Sequence, residues 1–411
     1  MLQTLKERNF ALLWTGGLIS LIGNWILVAA MPFHIYAVTN SAFATGAWLM
    51  AYIAPGVILG SVAGVFVDRW DRKQTMVVTS FMQAAIILVL LFAQTPETLW
   101  LVYVVAIVES SIAQFFGPAE NAMLPSLVDE EKLLAANSLN SMNDNLARLI
   151  GPAIGGTLLG LVGLTSVVLL DAASYLLAGI LILLVNAPKN VTSPTRSESS
   201  APTSGWSTVW REWLAGLNIV RHRRILGSLF LIVGIALFGD AIISAILVVF
   251  VQDIMGLGSV EFGWMMTARG IGGLIGGLLV AQLGQRWSSG QLISVGLILS
   301  GFIILTAVTL PTLYIVLPAM LLAGIPAIVV FVTIQTVLQQ ETEDEYRGRI
   351  FGAFGTTITL LMLAGSGIGG VLADQLGGTA LMSGAAIFYV LAGILAAALL
   401  LKPTRKAVTT V

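Results

Sequence analysis

The chain contains no cysteine among its 411 residues, and only 10% of its residues are charged. The absence of cysteine excludes disulfides, thiolate catalysis and cysteine-ligated metals. Soluble domains carry about 25% charged residues, so the low charge content excludes an ordinary soluble globule. The formal net charge of −1 argues against nucleic acid as the main partner. What is abundant is apolar: 57% of residues are hydrophobic, and the mean hydropathy is +0.93.

Long apolar runs account for this hydropathy. A membrane-spanning helix needs about 20 apolar residues. The run after Lys6 and Arg8 has no small-residue cleavage site, so we expect it to be a retained first span and not a signal peptide. The sequence therefore predicts an all-α integral membrane protein with twelve transmembrane helices. The runs fall near residues 10–36, 44–67, 75–93, 99–118, 138–162, 165–186, 225–251, 261–283, 289–309, 311–334, 350–373 and 379–401.

The positive charges predict an orientation. Of the 20 Lys and Arg residues, all but Arg148 and Arg269 fall in alternate loops, starting with the N-terminal segment. Cytoplasmic loops carry the excess of Lys and Arg in membrane proteins. We therefore expect a multi-pass protein of the plasma (inner) membrane with both termini in the cytoplasm.

A polar interval divides the chain. Residues 192–204 have almost no apolar content and are typical of a flexible linker. Three tryptophans then recur at helical spacing beside arginines, which favours an amphipathic helix at the cytoplasmic membrane surface, with a regulatory or partner-binding role as the alternative. The predicted units are an N-terminal six-helix bundle (1–187), this linker with its helix (188–224), a C-terminal six-helix bundle (225–402) and a cytoplasmic tail (403–411).

The two predicted bundles resemble each other in sequence. A shift of 214 residues places Gly151, Gly155 and Gly156 on Gly365, Gly369 and Gly370. A shift of 213 residues aligns the loop after the second span with the loop after the eighth span. The residue spacing is the same in both loops, but the later loop has lost most of the charges. Such near-constant offsets indicate one six-helix unit used twice, as in secondary transporters built from repeats.

Ionisable residues inside the spans are the candidates for function, because a charge at the bilayer centre costs roughly 2.5–3.5 kcal/mol. Glu109 lies mid-span without a charged neighbour in sequence, and either carries protons or is a structural carboxyl. Asp240 has the same two interpretations. Asp144 and Arg148 share a helix face, and form either a self-neutralising pair or a functional one. Asp171 is expected to be structural, and Arg269 can pair with an acid across the bundle.

Two strings carry a resemblance to a known family. The segment Gly64-Val-Phe-Val-Asp68-Arg69-Trp-Asp71-Arg72-Lys73 resembles the helix 2–3 loop signature of the major facilitator superfamily. The segment Gly151-Pro152-Ala-Ile-Gly155-Gly156 resembles the helix 5 signature of its antiporters, although Ala147 replaces the usual glycine. With Phe115-Phe116-Gly-Pro118-Ala119, the chain is similar to the branch of macrolide-efflux and enterobactin-exporter proteins.

This resemblance implies a fold of two pseudo-symmetric six-helix bundles, with helices 1, 4, 7 and 10 around a cavity and helices 2, 5, 8 and 11 between the halves. It implies a monomer in the lipid bilayer that moves protons and a small molecule, without a cofactor. The implied proton-coupling residues are Glu109, Asp240 and Asp144, and the implied cavity residues are Asn24, His34, Glu109, Gln114 and Asp240. The implied gating residues are Gly64, Asp68, Arg69, Arg72, Lys73, Arg148, Gly151, Pro152, Gly155, Gly156 and Arg269.

Enzymes and ATP-driven pumps are disfavoured, because the sequence has no phosphate-binding G-x-x-x-x-G-K-[ST] loop and no nucleophile–base arrangement. Two functions remain. The first is a proton-coupled exporter of a bulky amphipathic molecule, such as a drug, a siderophore or a lysolipid. The second is a facilitative or non-transporting membrane protein whose buried charges only hold the bundle together.

Overall fold

The computed structural model describes residues 4–67, 69–186, 206–343 and 346–401. The predicted linker at 192–204, the tail at 403–411 and the gating candidate Asp68 lie outside these ranges. Thirteen α-helices are described. They are α1 (Arg8–Thr39), α2 (Ala42–Val67), α3 (Arg72–Ile87), α4 (Trp100–Met123), α5 (Leu133–Leu161), α6 (Leu164–Leu183), α7 (Trp206–His222), α8 (Arg224–Val249), α9 (Ser259–Arg286), α10 (Ser289–Thr309), α11 (Leu313–Gln340), α12 (Arg347–Leu376) and α13 (Gly378–Leu400).

All but two of these helices are apolar and long enough to cross a membrane. Eleven qualify by length and composition, with α3 and α8 extended by Leu88–Phe92 and Phe250–Ile254. The exceptions are α7, which belongs to the polar interval, and α5, which carries several asparagines with Asp144 and Arg148. Because α5 packs between α1 and α9, it belongs with the eleven apolar helices and brings the number of transmembrane helices to twelve. The predicted all-α membrane architecture is confirmed.

The two halves repeat the same packing. In the first half α1 packs on α5 and α6, while α4 packs on α2 and α3. In the second half α8 packs on α12 and α13, while α11 packs on α9 and α10. The halves meet through α5 against α9 and α2 against α12, a pair of contacts that we call the seam. In the repeat, α5 corresponds to α12 and α2 corresponds to α9, so the two contacts are equivalent. The predicted repeat is confirmed.

The glycines of α5 face two different neighbours. A Cβ atom added at Gly151 would lie 2.4 Å from the Cβ of Trp25, and one added at Gly155 would lie 2.4 Å from the carbonyl oxygen of Ile26. Both contacts are with α1 of the same half, not with the other half as their assignment to gating implied. Successive residues of a helix point about 100° apart, so the next residue, Gly156, faces elsewhere.

Gly156 lies at the seam. A Cβ there would be 2.1 Å from the carbonyl oxygen of Ser259 on α9, and the hydroxyl of Ser259 donates to the Gly156 carbonyl at 2.9 Å. The carbonyl of Pro152 is also at the seam, 2.5 Å from a Cβ added at Gly263. In the second half Gly365 and Gly369 likewise face α8, while Gly370 faces Phe43 on α2.

The side-chain contacts across the seam that the described residues show lie toward one end. We call the end with the α2–α3 turn the basic side and the opposite end the distal side. On the distal side Phe33 of α1 contacts Phe262 of α9 with ring centroids 5.0 Å apart, and Tyr36 donates a hydrogen bond to Asp253. On the basic side a Cβ at Gly64 of α2 or at Gly355 of α12 would meet nothing within 4 Å. These two positions face open space, so we expect a cleft between the halves that opens toward the basic side.

The α2–α3 turn holds the first half together at the basic side. Asp71 caps α3 by accepting a hydrogen bond from the Gln74 amide at 2.7 Å. Nη1 of Arg72 donates to the carbonyl of Ala122 (3.0 Å), and Nζ of Lys73 donates to the carbonyl of Leu183 (2.8 Å). These two cations sit at the C-terminal ends of α4 and α6, where the helix dipole favours positive charge. Arg69 is exposed.

Helix α7 lies against α12 and α8. A Cβ at Gly216 would be 2.7 Å from the carbonyl oxygen of Arg349, so the two helices approach closely. The indole of Trp213 donates to the hydroxyl of Thr357 at 3.1 Å, and Val220 is buried. Arg211 and Arg221 are exposed. One face of α7 thus packs on protein, and its contact with a membrane surface stays a prediction.

Candidate functional site

The first half contains a buried polar cluster around Glu109 of α4. Only 2% of Glu109 is exposed. Its Oε1 accepts hydrogen bonds from Asn24 Nδ2 of α1 (3.2 Å), Gln83 Nε2 of α3 (3.3 Å) and the Tyr175 hydroxyl of α6 (3.3 Å). All three partners belong to the first half. Glu109 therefore lies inside one bundle, not on the cavity between the halves that the resemblance implied.

The partners of Glu109 are neutral and bonded to one another. Asn24 and Gln83 both donate to the Tyr175 hydroxyl at 3.2 Å, and the Tyr52 hydroxyl donates to Asn24 Oδ1 at 3.1 Å. Within the described ranges no Lys, Arg or His forms an ion pair with Glu109. A cavity of about 10 Å³ beside Asn24, Tyr52 and Glu109 is at the limit for one water molecule. The cluster thus has room for one water molecule at most, and no described cation pairs with its carboxyl.

Asp171 of α6 lies beside this cluster, one turn before Tyr175. Its side chain is fully buried, Oδ1 accepts a hydrogen bond from Ser174 at 3.3 Å, and Oδ2 has no hydrogen-bond partner. Gly23 of α1 makes room for it, because a Cβ at Gly23 would lie 2.6 Å from Asp171 Oδ1. Asp171 therefore lies at the packed α1–α6 contact, and its structural assignment stays a prediction.

The second half contains an ion pair in the matching place. Oδ1 of Asp240 on α8 accepts from Nη2 of Arg269 on α9 (3.1 Å) and from the hydroxyl of Tyr389 on α13 (2.7 Å). The acid that Arg269 pairs with is therefore Asp240, so two residues predicted to have separate roles act on each other. A cavity of about 40 Å³ adjoins the pair, with an otherwise mostly apolar lining that includes Ser300.

The two clusters are related by the repeat. Asn24 and Asp240 stand the same number of residues after the first residue of α1 and of α8. Tyr175 and Tyr389 likewise occupy the same position in α6 and α13. In each half the tyrosine hydroxyl donates to the acid of its cluster. The halves differ in charge, since one acid has neutral partners and the other has an arginine.

We expect Asp240→Asn to destabilise the fold, because it leaves the guanidinium of Arg269 without its counter-charge. Removing one partner of a fully buried pair costs about 3–5 kcal/mol. The side chains of Asp240 and Arg269 are 23% and 36% exposed, so we expect about 2 kcal/mol here. The measurement is thermal unfolding in detergent. The double variant Asp240→Asn/Arg269→Gln should recover part of the loss, and equal stability of all variants would contradict the ion pair.

A third group of polar residues lies toward the basic side, between α4 and α5. Asp144 and Arg148 share a face of α5 and are both exposed, but they do not form the self-neutralising pair considered from the sequence. The guanidinium of Arg148 instead stacks over the ring of Trp25 on α1, 4.7 Å from its centroid. Asp144 interacts with Glu120 of α4, which also interacts with the amide of Asn140.

Two predicted cavity residues lie apart from these groups. His34 Nε2 is 2.8 Å from the carbonyl oxygen of Ala93, which links α1 to the segment after α3. Gln114 Nε2 donates to the carbonyl of Ser110 on its own helix at 3.2 Å. Its side chain lies beside Gly60 of α2, where a Cβ would be 3.5 Å from Gln114 Oε1.

Sequence reasoning missed five residues of these groups. Four carry no charge and so were not selected by the search for charged residues in the spans. Extending the repeat to the first and last helix of each half would have aligned the two tyrosines. Glu120 lies just beyond the apolar run 99–118, where the fourth span was predicted to end. The missed residues are Tyr52, Gln83, Tyr175, Tyr389 and Glu120.

Comparisons with known proteins agree with this architecture. The chain is 26% identical to macrolide efflux protein A of Streptococcus pyogenes over 380 residues, which cover 90% of this chain and 91% of that protein. It is 25% identical over 381 residues to the uncharacterized MFS-type transporter YfiS of Bacillus subtilis, covering 90% and 88%. These relatives are membrane transporters and not enzymes. A crystal structure of a variant of the nucleoside transporter NupG superposes with a TM-score of 0.73 at 12% identity, over 95% of this chain and 99% of that one.

The family itself is shown by a match that spans almost the whole sequence. Residues 1–410 match the family described as transmembrane secretion effector. The paired six-helix bundles, the repeat and the two signature strings agree with that match. The chain therefore belongs to the transmembrane secretion effector family of the major facilitator superfamily.

Proposed function

We propose that this protein is a secondary active transporter that exports a bulky amphipathic small molecule in exchange for protons. It works by alternating access in the plasma (inner) membrane, as a monomer, with both termini in the cytoplasm. The observation that carries the proposal is the environment of Glu109, an almost fully buried carboxyl with only neutral hydrogen-bond partners. Proton coupling needs a group that can change its charge inside the membrane and still find partners.

Glu109 meets this need better than Asp240. A carboxylate at Glu109 accepts three hydrogen bonds, and a protonated carboxyl leaves no charge of opposite sign behind. Protonating Asp240 would strip Arg269 of its counter-charge in the bundle, which is costly. We therefore assign the proton-carrying role to Glu109 and a permanent ionic contact to Asp240. Asp144 is assigned to the cleft and not to the proton site.

The shape of the cleft supports export. The cleft opens toward the basic side, which we expect to face the cytoplasm because it carries the excess of Lys and Arg. A molecule can enter there from the cytoplasm or the inner leaflet, before the seam opens on the distal side. Separation of the halves at Gly156 and Gly370 would provide the exit, because these two contacts close the distal end.

The likeness to macrolide efflux protein A supports a drug-like substrate, and a siderophore or a lysolipid is the alternative. A facilitative or non-transporting protein with structural charges is the second candidate function, favoured by the ion pair of Asp240 with Arg269. Proteoliposomes that contain a pH-sensitive dye separate these possibilities. We expect a macrolide to drive proton movement, with a siderophore and a lysolipid as parallel substrates. If substrate crosses the membrane and none of the three substrates drives proton movement, only the facilitative function remains.

A further inference from the structure

We propose that the cavity beside the Asp240–Arg269 ion pair is a binding site for internal water, which completes a polar cluster that the first half builds largely from side chains. The ligand is a group of about three water molecules, because a cavity of about 40 Å³ has room for that many at about 10–15 Å³ each. The inference goes beyond the proposed function and depends neither on proton coupling nor on the exported molecule.

Two large polar side chains of the first half correspond to small ones in the second. Counted from the first residue of their helices, Gln83 of α3 corresponds to Ser300 of α10. The shift of 214 residues that relates the glycines of the two halves places Glu109 on Ala323. Ser300 and Ala323 both line the cavity. The place that an amide and a carboxyl fill in the first half therefore corresponds to the cavity in the second.

The polar groups around this cavity have more hydrogen-bonding capacity than the protein uses. A guanidinium carries several N–H donors, and among the described residues Arg269 donates only one hydrogen bond, to Oδ1 of Asp240. Tyr389 donates to the same oxygen, so Oδ2 of Asp240 has no described donor. Ser300 is 4% exposed, and no hydrogen bond joins its hydroxyl to another described residue. All four side chains line the cavity, and buried polar groups are almost always hydrogen-bonded.

Water fits this site better than an ion or an apolar ligand. Asp240 and Arg269 neutralise each other, so the site has no net charge that would attract an ion. An empty cavity is expected where the lining is apolar throughout, whereas a bound water molecule needs about two to four polar partners. The guanidinium, the second carboxylate oxygen and the Ser300 hydroxyl supply these partners. Water here solvates the ion pair in the middle of the bundle, so Arg269 and Asp240 can separate at lower cost than in a dry core.

Hydroxyl-radical footprinting of the full chain in lipid nanodiscs tests the site, because a short X-ray pulse converts bound water into radicals that oxidise the side chains beside it. Two buried methionines that line the cavity are the reporters, Met320 at 8% and Met382 at 1% exposure. The comparison is Met76 of α3, which is 0% exposed and lines neither this cavity nor the one beside Glu109. We expect Met382 to be oxidised about tenfold faster than Met76.

Filling the cavity should remove this difference. Ser300→Gln introduces the amide that the first half carries at the matching position, and we expect it to lower the oxidation of both reporters to the rate of Met76. The matched control is Thr306→Gln, which adds the same side chain at an exposed position of α10 and should leave the rates unchanged. If Ser300→Gln is unstable in thermal unfolding, Ala323→Leu fills the cavity from α11 instead.

Two results would overturn the inference. The first is oxidation of Met320 and Met382 in the parent at the rate of Met76, and the second is unchanged oxidation in a folded variant with a filled cavity. The stability of Ser300→Ala is an independent check. If water binds the Ser300 hydroxyl, this variant should have a lower melting temperature than the parent. A higher melting temperature would contradict bound water, because removing an unpaired buried hydroxyl stabilises a fold.

Discussion

Replacing Glu109 by glutamine is expected to abolish proton-driven efflux while leaving the protein folded in the membrane. Glutamine keeps the shape of the side chain and an acceptor oxygen, so Asn24, Gln83 and Tyr175 retain a partner. The glutamine amide cannot bind a proton on one side of the membrane and release it on the other. Loss of a positioned proton carrier costs about 100-fold or more in rate. Substrate accumulation in inverted vesicles under an imposed pH gradient measures this effect.

Counterflow, in which labelled substrate exchanges for unlabelled substrate without a gradient, should survive in Glu109→Gln. The matched control is Asp171→Asn, which alters a fully buried carboxyl of the same half outside the hydrogen bonds of Glu109. We expect that variant to keep gradient-driven transport. Gradient-driven efflux at the parent rate in Glu109→Gln would make the residue structural and return the proton role to Asp240 or Asp144.

Enlarging Gly156 is expected to shift the protein away from the conformation with the closed distal side. A Cβ at this position would lie 2.1 Å from the carbonyl oxygen of Ser259 across the seam. The leucine in Gly156→Leu therefore cannot occupy the closed seam without pushing α5 and α9 apart. Overpacking of this kind costs about 1–3 kcal/mol, which shifts a two-state equilibrium by about tenfold or more. We expect a leaky or inactive transporter that still inserts into the membrane.

The absence of cysteine makes this shift measurable. A reporter thiol introduced by Gly64→Cys lies where the cleft is open, and a membrane-impermeant maleimide reports its accessibility from the basic side. In the Gly156→Leu background we expect its labelling to slow about tenfold, because opening the distal side closes the basic side. Resting proton leak in inverted vesicles is the second readout.

Gly155→Leu is the matched control, since its neighbour lies inside the first half. A Cβ there would be 2.4 Å from the carbonyl oxygen of Ile26 on α1. We expect Gly155→Leu to lower thermal stability without the change in reporter labelling that Gly156→Leu produces. Sequence reasoning assigned both glycines to the contact between the halves. If both variants changed labelling equally, that original assignment would be correct and the separation of roles wrong.

Much of the architecture could be predicted because it depends on local features of the chain. Twelve spans follow from the length of apolar runs, and even the polar α5 was predicted as a span, near 138–162. The repeat follows from glycine spacing, and the structure bears it out in the matching contacts of Gly151 with α1 and Gly365 with α8. The candidate acids Glu109, Asp144 and Asp240 could also be selected, because an ionisable residue within an apolar run is costly wherever it points.

What those residues touch was decided only by the tertiary structure. The sequence places Asp144 and Arg148 on one face, but Trp25 of α1 competes for the guanidinium, so that pair does not form. It leaves Arg269 without a named partner until α8 and α9 come together at Asp240. It cannot show that Glu109 faces Gln83 and Tyr175 instead of the cleft, nor that Gly155 and Gly156 belong to different interfaces. Helical periodicity defines only the direction of a side chain relative to its own axis, and the neighbour in that direction depends on how separate helices pack.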